Sequence, residues 1–169
     1  MTNNDMLIRL RYALDIKDQD MVEIFKLGGV DYTLEEVRKI LTNPRDFESE
    51  EDYDFAVEDG EVIPINNKVL ESFLNGFITF KRGKQEPKPG QPERPPFSNE
   101  PANNILLKKV KIALALTAED MMDTLEEAGV RITKSELGAL LRKKGHKNYK
   151  ECGDKFARNF LKGLAYKYR

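Results

Sequence analysis

The stretch DMVEIFKLGGVDYTLEEVRKIL beginning at Asp20 returns 100 residues later, without a gap, as DMMDTLEEAGVRITKSELGALL beginning at Asp120. The same offset keeps Asn3/Asn103, Ala13/Ala113, Leu14/Leu114, Met21/Met121, Gly29/Gly129, Val30/Val130, Thr33/Thr133, Glu36/Glu136 and Leu41/Leu141 in register. The chain is therefore a tandem duplication, and whatever fold one copy takes the other must also take. The shared residues are those that build helices and turns, so they fix architecture and carry no chemistry of their own.

Within the first copy, Asn3 or Asn4 is placed to cap a helix whose Met6, Leu7, Leu10, Ala13 and Leu14 follow the spacing of one buried stripe. A second helix from about Asp18 buries Met21, Val22 and Phe25 and closes at Gly28-Gly29, where glycine tolerates the left-handed conformation. Thr33 and Glu36 form a capping box that opens a third helix with Leu34, Val37, Ile40 and Leu41 inward. Asn43-Pro44 ends it. A fourth helix, capped by Asn66 or Asn67, presents Val69, Leu70, Phe73, Leu74, Phe77 and Phe80. The second copy repeats the plan from Asn103/Asn104, adds a Thr117/Asp120 cap, and has Gly145 as the expected C-cap of its third helix. Its last helix opens at Asp154 and carries Phe156, Phe160, Leu161 and Leu164.

The offset falls to 87 in the fourth helices, where Phe73, Leu74 and Gly76 match Phe160, Leu161 and Gly163. The first copy thus carries 13 extra residues. This insertion, about 44–65, holds nine acids from Asp46 to Glu61. Tyr53, Phe55 and Val57 alternate with polar residues before Asp59-Gly60, and Val62, Ile63 and Ile65 follow, a pattern that predicts a small β-hairpin. Residues 84–102 contain six prolines and read as a linker. In extended polyproline geometry it reaches on the order of 55 Å, at about 3.1 Å per residue, and leaves the arrangement of the copies open. The expected fold class is all-α: two divergent four-helix repeats, 1–83 and 103–169, with a small β-hairpin in the first.

No apolar run approaches the roughly 20 residues that span a bilayer, and MTNNDMLIRLRYAL lacks the apolar core of a signal peptide. A cytoplasmic location without membrane contact is expected. The lone Cys152 fits a reducing compartment. A net charge of −1 conceals an asymmetry. Residues 1–83 hold 10 Lys/Arg against 18 Asp/Glu, net −8, while residues 103–169 hold 15 against 8, net +7. Each copy is near the size at which one core is marginal, so the two are expected to pack together or on a second chain. Opposite charge predicts that the acidic copy meets the basic one, with Gly76 and Gly163 either permitting close helix approach there or accommodating packing locally.

The asparagine start, Asp-Met helix, Gly-Val turn, Thr-x-x-Glu helix and Phe-Leu-x-Gly ending of each copy resemble the YehS-like family of small bacterial proteins, a tandem domain of unknown function. LLRKKGHKNYKECGDKFARNFLKGL is the most specific part of the likeness, and the acidic insertion departs from it. The resemblance implies a bacterial cytosolic protein with an all-helical tandem fold. It carries over no functional residues.

Chemistry-bearing residues are few. His146 and Cys152 are the types a thiolate nucleophile and its base require, but no orienting group or oxyanion site accompanies them. Structural zinc needs about four Cys/His ligands. Glu50, Asp52, Asp54, Glu58 and Glu61 sit at positions of an EF-hand-like loop, yet Phe55 stands where the sharp turn needs glycine. No catalytic, cofactor or metal site is expected. The candidate binding patch is Lys134, Arg142, Lys143, Lys144, Lys147 and Lys150, which follows a helix-turn-helix-like turn and suits phosphates. In the first copy the equivalent helix begins Leu34-Glu35-Glu36, which repels phosphate. The expected function is therefore a non-enzymatic protein-binding or regulatory module, by an unidentified partner or self-association, with nucleic-acid binding by the second repeat as the alternative.

Overall fold

The computed structural model describes residues 1–42, 62–84, 89–90 and 96–169, and among them the chain is all-helical. The first repeat forms α1 (Asn3–Leu14), α2 (Asp18–Leu27), α3 (Leu34–Ile40) and α4 (Asn67–Arg82). The second forms α5 (Ala102–Ala113), α6 (Ala118–Glu127), α7 (Lys134–Leu141) and α8 (Asp154–Tyr168).

Local signals explain most boundaries. Thr33/Glu36, Thr117/Asp120 and Thr133/Glu136 form the three capping boxes that start α3, α6 and α7, each contributing about 1 kcal/mol. Lys17, at the matching position before α2, offers no side-chain cap. After α2 and α6 the chain turns through Gly29 (φ 93°) and Gly129 (φ 84°). Val30 N–H then donates to the Phe25 carbonyl and Val130 N–H to that of Leu125, both at 2.9 Å, the six-to-one bond of a Schellman stop.

Two expected caps are displaced. Thr2, in a capping box with Asp5, starts α1, and Pro101 precedes α5 without a side-chain bond, so the asparagine pairs lie inside the helices. Their work is long-range. Asn4 donates to the carbonyls of Ile40 (3.0 Å) and Ile63 (2.7 Å) and accepts from Ile65 N–H (3.0 Å). Asn104 does the same with Leu140 (3.0 Å), Lys150 (3.0 Å) and Cys152 N–H (2.8 Å). Asn3 and Asn103 add bonds to the Ile65 and Cys152 carbonyls. Each pair therefore stitches the first helix of its repeat to the chain entering the fourth. Gly145 (φ 97°) likewise belongs to a turn beyond α7, whose last residue is Leu141.

The predicted hairpin falls largely outside the described residues, which exclude 43–61. Of its second arm, Val62, Ile63 and Ile65 form no strand, because Asn4 takes up the backbone groups of Ile63 and Ile65.

The repeats interlock at their fourth helices. α4 packs on α2 of its own repeat and on α5 of the other; α8 packs on α6 of its own repeat and on α1 of the other. Contacts at both ends show that the two inter-repeat pairs run parallel. Met1 meets Asp154 where α1 and α8 begin, and Arg169 donates to the Tyr12 carbonyl where they end. Apolar side chains fill one continuous core, with Phe25, Phe73, Phe77 and Phe160 fully buried. At about 1.5–3 kcal/mol per large apolar side chain, this burial dominates the contact between repeats.

Of the two readings of Gly76 and Gly163, the local one holds. A Cβ at Gly76 would lie 2.0 Å from the Ile24 carbonyl oxygen, and one at Gly163 would lie 2.1 Å from that of Thr124. Both glycines therefore serve the α2/α4 and α6/α8 crossings within a repeat. The seam between repeats is made by other faces of α4 and α8, which is why residues 70–74 of α4 are buried without interruption.

Candidate binding groove between the first and last helices

The basic patch anticipated in the second repeat is divided. Lys134 stands at the start of α7 and pairs with Glu119 at 3.1 Å, whereas Arg142 follows its end, about 12 Å away for an eight-residue helix at 1.5 Å per residue. Lys143, Lys144, Lys147 and Lys150 are exposed on the connection to α8, and the Lys144 backbone amide binds Glu100 at 2.7 Å. Cys152 is buried, and burial first, with the Asp154 charge second, pushes its thiol up to about 12. At neutral pH it is a thiol held in the core. His146 is exposed, and its Nδ1 accepts from the Asn148 amide.

A different basic site forms along the α1/α8 seam. Ile8, Arg9 and Tyr12 of α1, Arg158 and Lys162 of α8, and Arg169 just past its end line an open groove of about 870 Å³. The spacings 8, 9, 12 and 158, 162, 165, 169 are those of one helix face. Each helix thus turns its buried stripe to the core and this second stripe to the groove. Arg169 closes one end, donating to the Tyr12 carbonyl at 2.8 Å, lying 4.0 Å from the Tyr12 ring and 3.6 Å from Asp15. At the other end Arg158 acts on Asp154, whose carboxyl is held below the usual aspartate range by the Asn103 amide, the Met1 ammonium and Arg158. Among the described residues neither Arg9 nor Lys162 has a carboxylate partner, and Lys162 lies 5.8 Å from the exposed Tyr166 ring. Sequence reasoning missed this cluster, since Arg9 and Arg158 are remote in the chain. The available signal was the pair of exposed tyrosines among helix-spaced cations.

The counterpart seam, α4/α5, is built on the same plan and is covered. Arg82 donates to the Ile112 carbonyl at 3.2 Å, as Arg169 does to Tyr12. Residues 96–101 then lie across the seam. Glu71 of α4 accepts from Ser98 N–H (2.7 Å) and Oγ (2.9 Å), while Glu100 accepts from Lys108 Nζ of α5 at 2.7 Å. Phe97 faces Lys68 at 5.9 Å. Glu71 and Glu100 are both buried. Burial alone would raise the Glu100 carboxyl, but the Lys108 ammonium and the Lys144 amide reverse this and hold it below the ordinary glutamate range. Lys109 is pushed down by burial, which the charges of Glu71 and Glu100 partly oppose.

These features define a class: a duplicated four-helix repeat closed by reciprocal packing of the fourth helices, with one inter-repeat seam covered and one open. A family model described as "Protein of unknown function (DUF1456)" matches residues 3–83 and 103–169, the two repeats without the proline-rich linker. The chain belongs to this family. It is 40% identical over 166 residues to "Uncharacterized protein YehS" of Escherichia coli (strain K12), covering 98% of this chain and 95% of that protein. No solved structure matches it. Among the described residues no helix is long and apolar enough to cross a membrane.

Proposed function

We propose that the protein is a non-enzymatic binding module that holds a protein partner through the α1/α8 groove. One observation carries this reading: the groove gathers Arg9, Arg158, Lys162 and Arg169 on an open surface, with too few neighbouring carboxylates among the described residues to neutralise them. Like charges held together disfavour the empty groove, and an acidic partner relieves that repulsion while gaining charge-assisted hydrogen bonds from the guanidinium groups. The buried thiol of Cys152 agrees with a non-catalytic role.

The full chain, immobilised as bait, tests the reading against an Arg9→Glu/Lys162→Glu variant in a bacterial lysate at low and raised salt. Proteins retained by the wild type and lost by the variant support it. Identical retention by both overturns it.

Nucleic-acid binding by the second repeat is favoured by a separate observation, the exposure of Lys143, Lys144, Lys147 and Lys150 on one connection. Lys134 stands apart from them, paired with Glu119. Phosphate binding there would weaken steeply with salt. Replacing Lys143 and Lys144 would reduce it for all sequences alike, and salt-independent or undetectable binding would remove it.

A further inference from the structure

Among the described residues, the chain lays a segment of its own across one seam and leaves the equivalent seam open. Two independent correspondences put the seams in register. The sequence offsets pair α1 with α5 and α8 with α4, and the matching arginines, Arg169 and Arg82, reach matching carbonyls, those of Tyr12 and Ile112. On this register the open groove carries Arg158 where the covered one has Glu71, Ile8 where it has Lys108, Arg9 for Lys109, and Lys162 for Asn75.

The occupant of the covered seam is a short segment lying across both helices and turned at Asn99 (φ 58°), where Glu100 N–H donates back to Ser98 Oγ at 3.4 Å. Ser98 gives its amide and hydroxyl to Glu71 on one helix, and Glu100 takes the ammonium of Lys108 on the other. At the open seam both requirements are inverted. A donor like Ser98 would face the Arg158 guanidinium, which accepts nothing, and a carboxylate like Glu100 would face the hydrocarbon of Ile8. A segment lying the same way needs a carboxylate at the Ser98 position and an apolar side chain at the Glu100 position. Arg9 and Lys162 add two more cations where the covered seam has one cation and a neutral amide.

We infer that the α1/α8 groove binds a short, acidic segment of a partner polypeptide, laid and turned as residues 96–100 are on α4/α5 and ending where Met1 stands in place of Pro101, with a carboxylate on Arg158 and an apolar residue two positions later on Ile8. The inference rests on the binding reading above and specifies the occupant. The covered seam shows that this backbone geometry fits the parallel helix pair. The inverted residues choose the side chains.

Two synthetic peptides of equal net charge isolate the claim. PPFSNEPA copies residues 95–102 of the chain, and PPFENLPA exchanges the serine for glutamate and the glutamate for leucine. Each is titrated into the isotope-labelled full chain and followed by amide chemical shifts. PPFENLPA is expected to shift α1 and α8 amides around Arg9 and Arg158 and to bind about threefold to tenfold more tightly than PPFSNEPA, a preference set by one to two extra rim contacts. Arg158→Glu should reverse the order, because a carboxylate there reproduces Glu71, while Arg158→Ala should only level it. Equal affinities, or shifts confined to other helices, overturn the strap-like geometry. If the Arg9→Glu/Lys162→Glu variant still loses lysate partners in that event, the groove binds anionic proteins by another geometry. If no partner depends on those residues either, the binding reading fails with it. A single-stranded oligothymidylate that shifts the same amides in an Arg158-dependent way, while neither peptide does, overturns the inference in favour of nucleic acid.

Discussion

The two inter-repeat seams follow one plan and differ first in cover: α4/α5 is buried under the chain that connects the repeats, and among the described residues α1/α8 is open. Covering a seam changes which residues it tolerates. Glu71 beneath residues 96–101 and Glu100 within them are both buried, with Lys108 and Lys109 half-buried beside them. Buried charges survive only when paired, and each of these acids has its donors. On the open seam Arg9, Arg158, Lys162 and Arg169 are all exposed, and water does what the strap does elsewhere. The linker runs directly into α5 and so lies across the α4/α5 seam; on the function proposed above, the other seam is left for a partner.

The largest effect expected on this comparison is one that treats both halves alike. Gly76→Ala and Gly163→Ala each force a methyl carbon to within about 2 Å of a backbone oxygen, at Ile24 and Thr124, and backbone cannot rotate away as a side chain can. Each should cost about 3 kcal/mol or more in urea denaturation, at the upper end of overpacking penalties. A loss below about 1 kcal/mol at either site would show that the crossing gives way more easily than its geometry implies.

Next come the asparagine stitches. Asn104→Ala removes three bonds and leaves two carbonyls and one amide buried without partners, so about 2–4 kcal/mol should be lost. Asn4→Ala breaks the same set at a site that is 9% exposed against 0% for Asn104, and should cost less. The reverse order would mean that water does not reach the Asn4 site.

These two predictions also mark where the sequence could and could not be read. Capping boxes are local: Thr33 and Glu36 satisfy each other across one turn, so their pattern is visible in four letters. The asparagines looked like caps for the same reason. Their real partners are Ile40 and Ile63, or Leu140 and Lys150, carbonyls that only tertiary folding brings near. Gly76 and Gly163 were recognisable as sites of close approach, but which helix approaches is a matter of topology. The candidate patch followed a run of cations contiguous in sequence, Arg142 to Lys144, while the groove unites cations from opposite ends of the chain. Glu71 and Ser72 in α4 were unreadable as buried positions because the segment lying over Glu71 comes from a stretch whose prolines suggested a free tether.

A third, moderate effect separates the seams by pH. Glu100 titrates below its ordinary range in the folded chain, so its contribution is fully present above the unfolded glutamate value of about 4.3 and is lost as pH falls through the lower folded value. Glu100→Gln should therefore lower stability by about 1.5–3 kcal/mol at neutral pH, the range for hydrogen bonds to charged groups. It should also flatten the dependence of stability on pH between about 5 and 3. Denaturant titrations across that window read both. Lys108→Met should give a similar flattening, whereas Lys162→Met, on the open seam, should leave the slope unchanged. Equal slopes in all four proteins would break the distinction between covered and open seams.

The smallest expected difference lies in the paired arginines that end the seams. Arg82 and Arg169 make the same bond to a carbonyl, but Arg169 adds the Tyr12 ring at 4.0 Å and Asp15 at 3.6 Å, while Ile112 offers Arg82 only hydrocarbon. An exposed cation–ring contact contributes about 0.5–1 kcal/mol and an exposed ion pair about 0–1 kcal/mol. Arg169→Ala should thus cost about 1 kcal/mol and Arg82→Ala about half as much. A double-mutant cycle with Tyr12→Leu locates the difference. If the ring is its source, Arg169→Ala in the Tyr12→Leu background should fall to the cost of Arg82→Ala, and raised salt should shrink what remains of the Asp15 contribution. An Arg169 effect unchanged by Tyr12→Leu would place the advantage in the carbonyl bond, and the two seams would then end in the same way after all.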